Sequence, residues 1–307
     1  MASPRSWLRV TAVLITAGSA LAAPASLLKR AAITQVSQSQ LDSYTPISYY
    51  ASASYCTPSS TLAWNCANCG ANPSFQPIAS GGDGFVGYDP SLDSVVVSVQ
   101  GTKPSAIIPL ITDGDIELVN LDSTLFPGLD SSIQAHKGFA DAHSRSASDI
   151  LAAVQQALSD YGTSEVLLTG HSLEHLLNCN PRTGAAISLL HSVYIPLQIP
   201  DAKVTYVGYG LPRVGNQAFA DYVDAHGSIT SVTHINNKED PIPILPGRFL
   251  GFHHPSGEIH IQDSGEWTAC PGQDNTDSQC TVGDVENLLD GNESDHDGPY
   301  NGVEMGC

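Results

Sequence analysis

Short apolar runs separated by turn residues set the pattern of this chain. The segments "SVVVSVQ" (94–100), "EVLLT" (165–169), "KVTYVG" (203–208) and "SVTHIN" (231–236) are brief and rich in β-branched residues. Such runs predict strands, and the most continuous of them predict strands buried on both faces. Residues 84–88 and 257–262 add two more strand-like stretches. Between them the period changes. Ile150, Leu151, Val154 and Leu158 recur at helical spacing, so 146–161 predicts an amphipathic helix. Residues 31–80 open on a Ser/Gln-rich helical stretch and pass into a loop rich in Cys, Pro and Gly. Strands alternating with helices predict one α/β domain, an open, mostly parallel central sheet flanked by helices. Loops at the carboxyl ends of such strands carry the chemistry. That singles out the turns after Gln100, Thr169 and Asn236.

The N-terminus has a different pattern. Arg5 and Arg9 precede an apolar run, 10–21, followed by the small residues Ala22 and Ala23. This predicts a signal peptide over 1–23, and the run is too short for a comfortable membrane span. Lys29-Arg30 then reads as a dibasic processing site closing a propeptide, 24–30. The folded domain is expected over 31–307, secreted and without transmembrane anchoring.

Composition narrows the partners. The formal net charge is −19. Removing 1–30 removes four basic residues and no acid, which gives −23. A surface this acidic repels phosphate backbones and anionic membranes, so nucleic acid is excluded and a neutral substrate is favoured. In a secreted chain the seven cysteines predict disulfides. Six cysteines allow 15 connectivities. The short gaps suggest Cys66–Cys69 and Cys270–Cys280, which leaves Cys56 and Cys307 to tie the ends. Cys179 is the odd one. A zinc reading of "CANC" lacks a second pair at ligand spacing.

The candidate chemistry starts at "EVLLTGHSL". A serine hydroxyl becomes a nucleophile only beside a base and on a turn that pushes it out of the backbone. Here a strand, Gly170 and Ser172 follow in the right order. "NNKEDPIPILPG" places Asp240 just after a strand, in a loop stiffened by prolines, with Glu239 as a weaker substitute. "ESDHDGPY" supplies His296. The order Ser172, Asp240, His296 fits a nucleophile, an orienting acid and a base. His253, His254 and His260 are rivals for the base, and together they also suggest a metal site. The Thr102 and Leu173 backbone N–H groups are the natural oxyanion donors. "GYG" at 208–210 is not a dinucleotide fingerprint. Asn292-Glu293-Ser294 is an N-glycosylation sequon. Proton and acyl transfer need no cofactor and no metal.

Taken together, "VSVQGT", "HKGFADAHSRSASDILAAVQ", "LLTGHSL", "VTYVGYGLPRVGNQAFADYV", "VTHINNKEDPIPILPG" and "DHDGPYNGVEMGC" resemble a secreted fungal class 3 lipase, in order, over nearly the whole domain. The resemblance implies the α/β-hydrolase fold. It implies Ser172 as nucleophile, Asp240 as acid, His296 as base and Thr102 with Leu173 as oxyanion donors. The family's disulfide between the chain ends suits Cys56 with Cys307. It implies a lid as well, for which Ala106, Ile107, Ile108, Leu110 and Ile111 form a greasy segment. The implied activity is that of a triacylglycerol lipase, acting as a monomer on a neutral lipid ester at an interface. The alternatives are a soluble carboxylesterase, such as one acting on feruloyl esters, and a catalytically dead lipid-binding relative.

One stretch departs from that pattern. The family reads G-H-S-L-G-A-A, whereas here ten residues, 174–183 ("EHLLNCNPRT"), separate Leu173 from Gly184. Deleting them restores "GHSLGAAISLL" and removes the unpaired Cys179. An insertion into a complete pattern, such as retained intron sequence, accounts for both oddities. Glu174 would otherwise bring a charge to a crowded turn, and Pro181 would stop a helix running on from Ser172. The helix is then expected to resume over 184–194, and activity to be impaired.

Overall fold

The computed structural model describes residues 32–101, 116–172 and 184–307. In chain order the strands are β1 (Thr34–Gln35), β2 (Gln76–Gly81), β3 (Gly84–Asp89), β4 (Ser94–Val99), β5 (Leu118–Asn120), β6 (Gln134–His136) and β7 (Glu165–His171). They continue as β8 (Lys203–Tyr209), β9 (Gly215–Asn216), β10 (Ile229–Asn237), β11 (Phe252–His253), β12 (Glu258–Ile261) and β13 (Trp267–Cys270). The longer helices are α1 (Gln38–Ala53), α2 (Lys137–Tyr161), α3 (Ala185–Gln198) and α4 (Gln217–Ala225).

The main sheet runs β1-β13-β12-β10-β8-β7-β4-β3-β2. Its five central strands, β12 to β4 in that order, are parallel, and antiparallel pairs finish both edges. Alternation along the strands builds two cores. Val95, Val97, Val99, Leu168 and Tyr206 belong to one, with residues of α2 and α3. Val96, Leu167, Val207 and Ile235 belong to the other, with Tyr50 and Ala51 of α1. A sheet covered on both faces explains why its strands read as nearly continuous apolar runs. The arrangement is that of an α/β-hydrolase.

Three expectations change at the edges. Helix α2 starts at Lys137, nine residues before the predicted start, with Gly138 N–H donating to His136 Nδ1 at 3.1 Å. Its added turns bury Gly138 and His143, side-chain-free or polar residues that hide the helical period. Helix α3 runs on to Gln198, through Pro196, rather than ending near 194. A second sheet, β11-β9-β6-β5, was not anticipated, because strands of two or three residues cannot display alternation.

The cystines are Cys56–Cys307, Cys66–Cys69 and Cys270–Cys280. The first closes a span of 251 residues and ties the segment after α1 to the C-terminus. Cys179 lies outside the described residues. Among the described residues, no helix is long and apolar enough to cross a membrane.

Candidate active site

Parallel pairing sets the ends of β7 and β8 side by side, with His171 opposite Tyr209. Ser172 follows immediately, and its N–H donates to the Tyr209 carbonyl at 2.9 Å. Its φ is +68°, in the left-handed region that non-glycine residues rarely occupy. Strain of that kind is stored where the surrounding structure over-determines it, often at a reactive centre. The turn needs a partner without a side chain. A Cβ on Gly184 would collide with the carbonyl oxygen of His171. The crowded position therefore belongs to Gly184, from which α3 departs. The expectation for Glu174 falls on a residue outside the described ones, as do all of 174–183.

The three predicted side chains converge. His296 Nδ1–H donates to Asp240 Oδ2 at 2.7 Å, and Ser172 Oγ–H donates to His296 Nε2 at 2.6 Å. The carboxylate accepts only, which fixes the tautomer and leaves Nε2 free to take a proton. All three residues are fully buried. Asp240 is held by its own loop: its N–H reaches Asn237 O at 3.0 Å, and its Oδ1 accepts from Ile242 N–H at 2.9 Å. Gly210, at φ +54°, clears room for the pair. A Cβ there would stand 2.7 Å from His296 Cε1 and 3.1 Å from Asp240 Oδ2. The second glycine of "GYG" thus makes space for imidazole and carboxylate.

Sequence reasoning missed a second tier behind the histidine. The His296 carbonyl accepts from His171 Nε2–H at 2.7 Å and from Tyr300 O–H at 3.0 Å. Tyr55 O–H in turn donates to His171 Nδ1 at 2.7 Å. Burial pushes the His171 pKa well below its usual value and those of Tyr55 and Tyr300 well above theirs. The ring stays neutral and both phenols keep their protons, as this pattern of donors requires. His171 gave only a weak sign of this, as the middle letter of Gly-His-Ser. Tyr55 and Tyr300 gave none.

The rival histidines are engaged elsewhere. His254 Nε2 bonds Pro243 O at 2.8 Å, and the two nitrogens of His260 face Gln279 O and Lys238 O, each at 2.9 Å. Among the described residues, the one group of three metal-ligand types is Glu258, Cys270 and Cys280, and its two sulfurs form a cystine. Thr102, Leu173 and the segment Ala106, Ile107, Ile108, Leu110 and Ile111 lie outside the described residues. Among the described residues, an apolar groove of about 960 Å3, with Ile116 on its lining, runs between the loops that follow Asp240 and precede His296. Phe249 and Leu289 stand on its lining, 89% and 96% exposed. Asn292 is exposed, and its Oδ1 accepts from the N–H and hydroxyl of Ser294.

Comparison with known proteins agrees with this geometry. The family model for lipase (class 3) matches residues 96–250, about half of the chain. The secreted mono- and diacylglycerol lipase MDL2 of Malassezia globosa is 32% identical over 69% of this chain and 66% of its own length. The secreted mono- and diacylglycerol lipase 3 of Gibberella zeae is 31% identical over 69% and 65%. The chain thus spans just under two thirds of these relatives. The fold matches that of the Rhizomucor miehei triacylglyceride lipase, with a TM-score of 0.73 at 24% identity over 89% of this chain and 98% of that one. It also matches the Lip2 lipase of Yarrowia lipolytica, with a TM-score of 0.69 at 22% identity over 91% and 98%. This chain is a member of the class 3 lipase family.

Proposed function

We propose that the chain is a secreted lipase that hydrolyses the carboxylic ester bonds of acylglycerols at a lipid–water interface. The observation that carries the reading is the buried relay Ser172–His296–Asp240, with Ser172 at φ +68° on the turn after a central strand. Ser172 Oγ attacks the acyl carbonyl carbon while His296 Nε2 takes its proton. His296 then gives that proton to the leaving glycerol oxygen, and the acyl group stays on Ser172. Water next loses a proton to His296 as its oxygen attacks the acyl carbon, and His296 returns that proton to Ser172 Oγ as the acyl–oxygen bond breaks, releasing the fatty acid and restoring the free serine. Asp240 accepts from Nδ1–H throughout and stabilises the imidazolium. The oxyanion donors are assigned to the Thr102 and Leu173 backbone N–H groups.

Full burial of Ser172 means that an ester reaches it only when a cover moves. We assign that cover to the segment with Ala106, Ile107, Ile108, Leu110 and Ile111, whose apolar side chains gain roughly 25 cal/mol per Å2 on meeting oil. The exposed Phe249 and Leu289 favour the same kind of surface. The relatives' names support secretion. On that reading we assign 1–23 as signal peptide, 24–30 as propeptide, 31–307 as a single monomeric domain and Asn292 as a glycan site.

The rate on tributyrin, followed through its solubility limit, tests the reading. A jump when droplets form is expected. Saturation below the limit would mean a soluble carboxylesterase, and no turnover together with retained lipid binding would mean a dead relative.

A further inference from the structure

Asp240 opens the run D-P-I-P-I-L-P, in which Pro241, Pro243 and Pro246 have no N–H to donate. The segment after Asp240 is gripped from outside instead, at four successive carbonyls. His254 Nε2–H donates to Pro243 O at 2.8 Å. The Arg213 guanidinium donates through one terminal nitrogen to Ile244 O and to Pro246 O, the latter at 2.9 Å. The Arg213 backbone N–H donates to Leu245 O at 2.8 Å. Both gripping residues are anchored on one carboxylate. Arg213 Nε–H reaches Asp274 Oδ1 at 2.7 Å, and His254 N–H reaches Asp274 Oδ2 at 3.1 Å. Arg213 is 1% exposed and Asp274 7%. A buried ion pair of this kind is weak support for stability, because apolar side chains of similar volume often do as well. What they could not do is donate to the carbonyls of a proline-rich loop.

The grip leads back to the triad in three bonds. Leu245 N–H donates to Ile242 O at 3.0 Å, Ile242 N–H holds Asp240 Oδ1 at 2.9 Å, and Asp240 Oδ2 accepts from His296. We infer that Arg213 and Asp274 are positioning residues for hydrolysis, holding the 243–246 backbone so that Asp240 stays aligned on His296. The inference rests on the hydrolase reading above.

The test compares the full chain with Arg213→Met, Arg213→Lys and Asp274→Asn. The probe is p-nitrophenyl butyrate below its solubility limit, with active sites titrated by an organophosphonate. Per titrated site, Arg213→Met loses up to about 10²-fold in kcat, the scale of a small misplacement remote from the chemistry. KM stays nearly constant, since the loss falls on the transition state. Arg213→Lys recovers part of kcat. Wild-type kcat per titrated site in Arg213→Met, or in Asp274→Asn should the first not fold, would overturn the assignment and leave a purely structural ion pair. A wild-type chain that neither turns over nor labels would overturn the hydrolase reading beneath it.

Discussion

Asp240→Asn separates the triad's geometry from its proton chemistry. The carboxylate makes two bonds with distinct oxygens: Oδ1 accepts from Ile242 N–H and Oδ2 from His296 Nδ1–H. Asparagine has one oxygen, and Ile242 N–H demands it. The amide nitrogen must then face His296 and donate to Nδ1. That forces the hydrogen of the neutral ring onto Nε2, which now points a donor at Ser172 Oγ instead of a lone pair. The shape survives while the base is lost. The same change in serine-protease triads costs about 10⁴ in kcat, or about 5 kcal/mol of barrier. The assay is kcat/KM on a soluble chromogenic ester at neutral pH, with phosphonate labelling and a thermal melt alongside. Near-native melting with a loss of about 10⁴ is expected. A folded variant losing less than about tenfold would refute the tautomer argument.

Other outcomes follow from the same structure. A chain lacking 174–183, which joins Leu173 directly to Gly184, is expected to turn over esters faster than the full chain; equal rates would mean the ten residues do no harm. His143, His171, His191, His234 and His254 are buried and held below the usual histidine range by burial, the third and fifth down to about 3. Their unfolded pKa is near 6.5, so the unfolded chain takes up protons first as pH falls. Their contribution to stability is therefore complete above about pH 6.5 and is lost as pH falls below it, for His191 and His254 by on the order of 1 kcal/mol per pH unit down to about pH 3. Melting curves from pH 8 to 4 check this, and a flat melting temperature would contradict it. Replacing Cys56 and Cys307 together by serine releases a 251-residue span and is expected to cost about 2–5 kcal/mol in a denaturant titration.

The parts legible in the sequence were those with a single physical cause. Strands buried on both faces announce themselves as β-branched runs, and β4, β7, β8 and β10 lie where those runs predicted. The triad was legible because each member follows a strand or sits in a loop of marked composition. Helix α2 was read only in part, because Gly138 and His143 bring no apolar side chain to the buried side of its first turns. Gly184 was visible as a glycine out of register, but its collision with His171 O exists only once β7 and α3 are folded together. Tyr55 and Tyr300 act through bonds spanning 116 and 4 residues, and nothing local marks either phenol as a donor to the site.

Covalent trapping tests the central assignment most directly. The full chain, incubated with an organophosphonate ester and digested, is expected to carry the label on the peptide containing Ser172, at a stoichiometry that tracks the loss of ester hydrolysis. Hydrolysis that persists with Ser172 fully labelled, or inhibition that places the label on another residue, would contradict it.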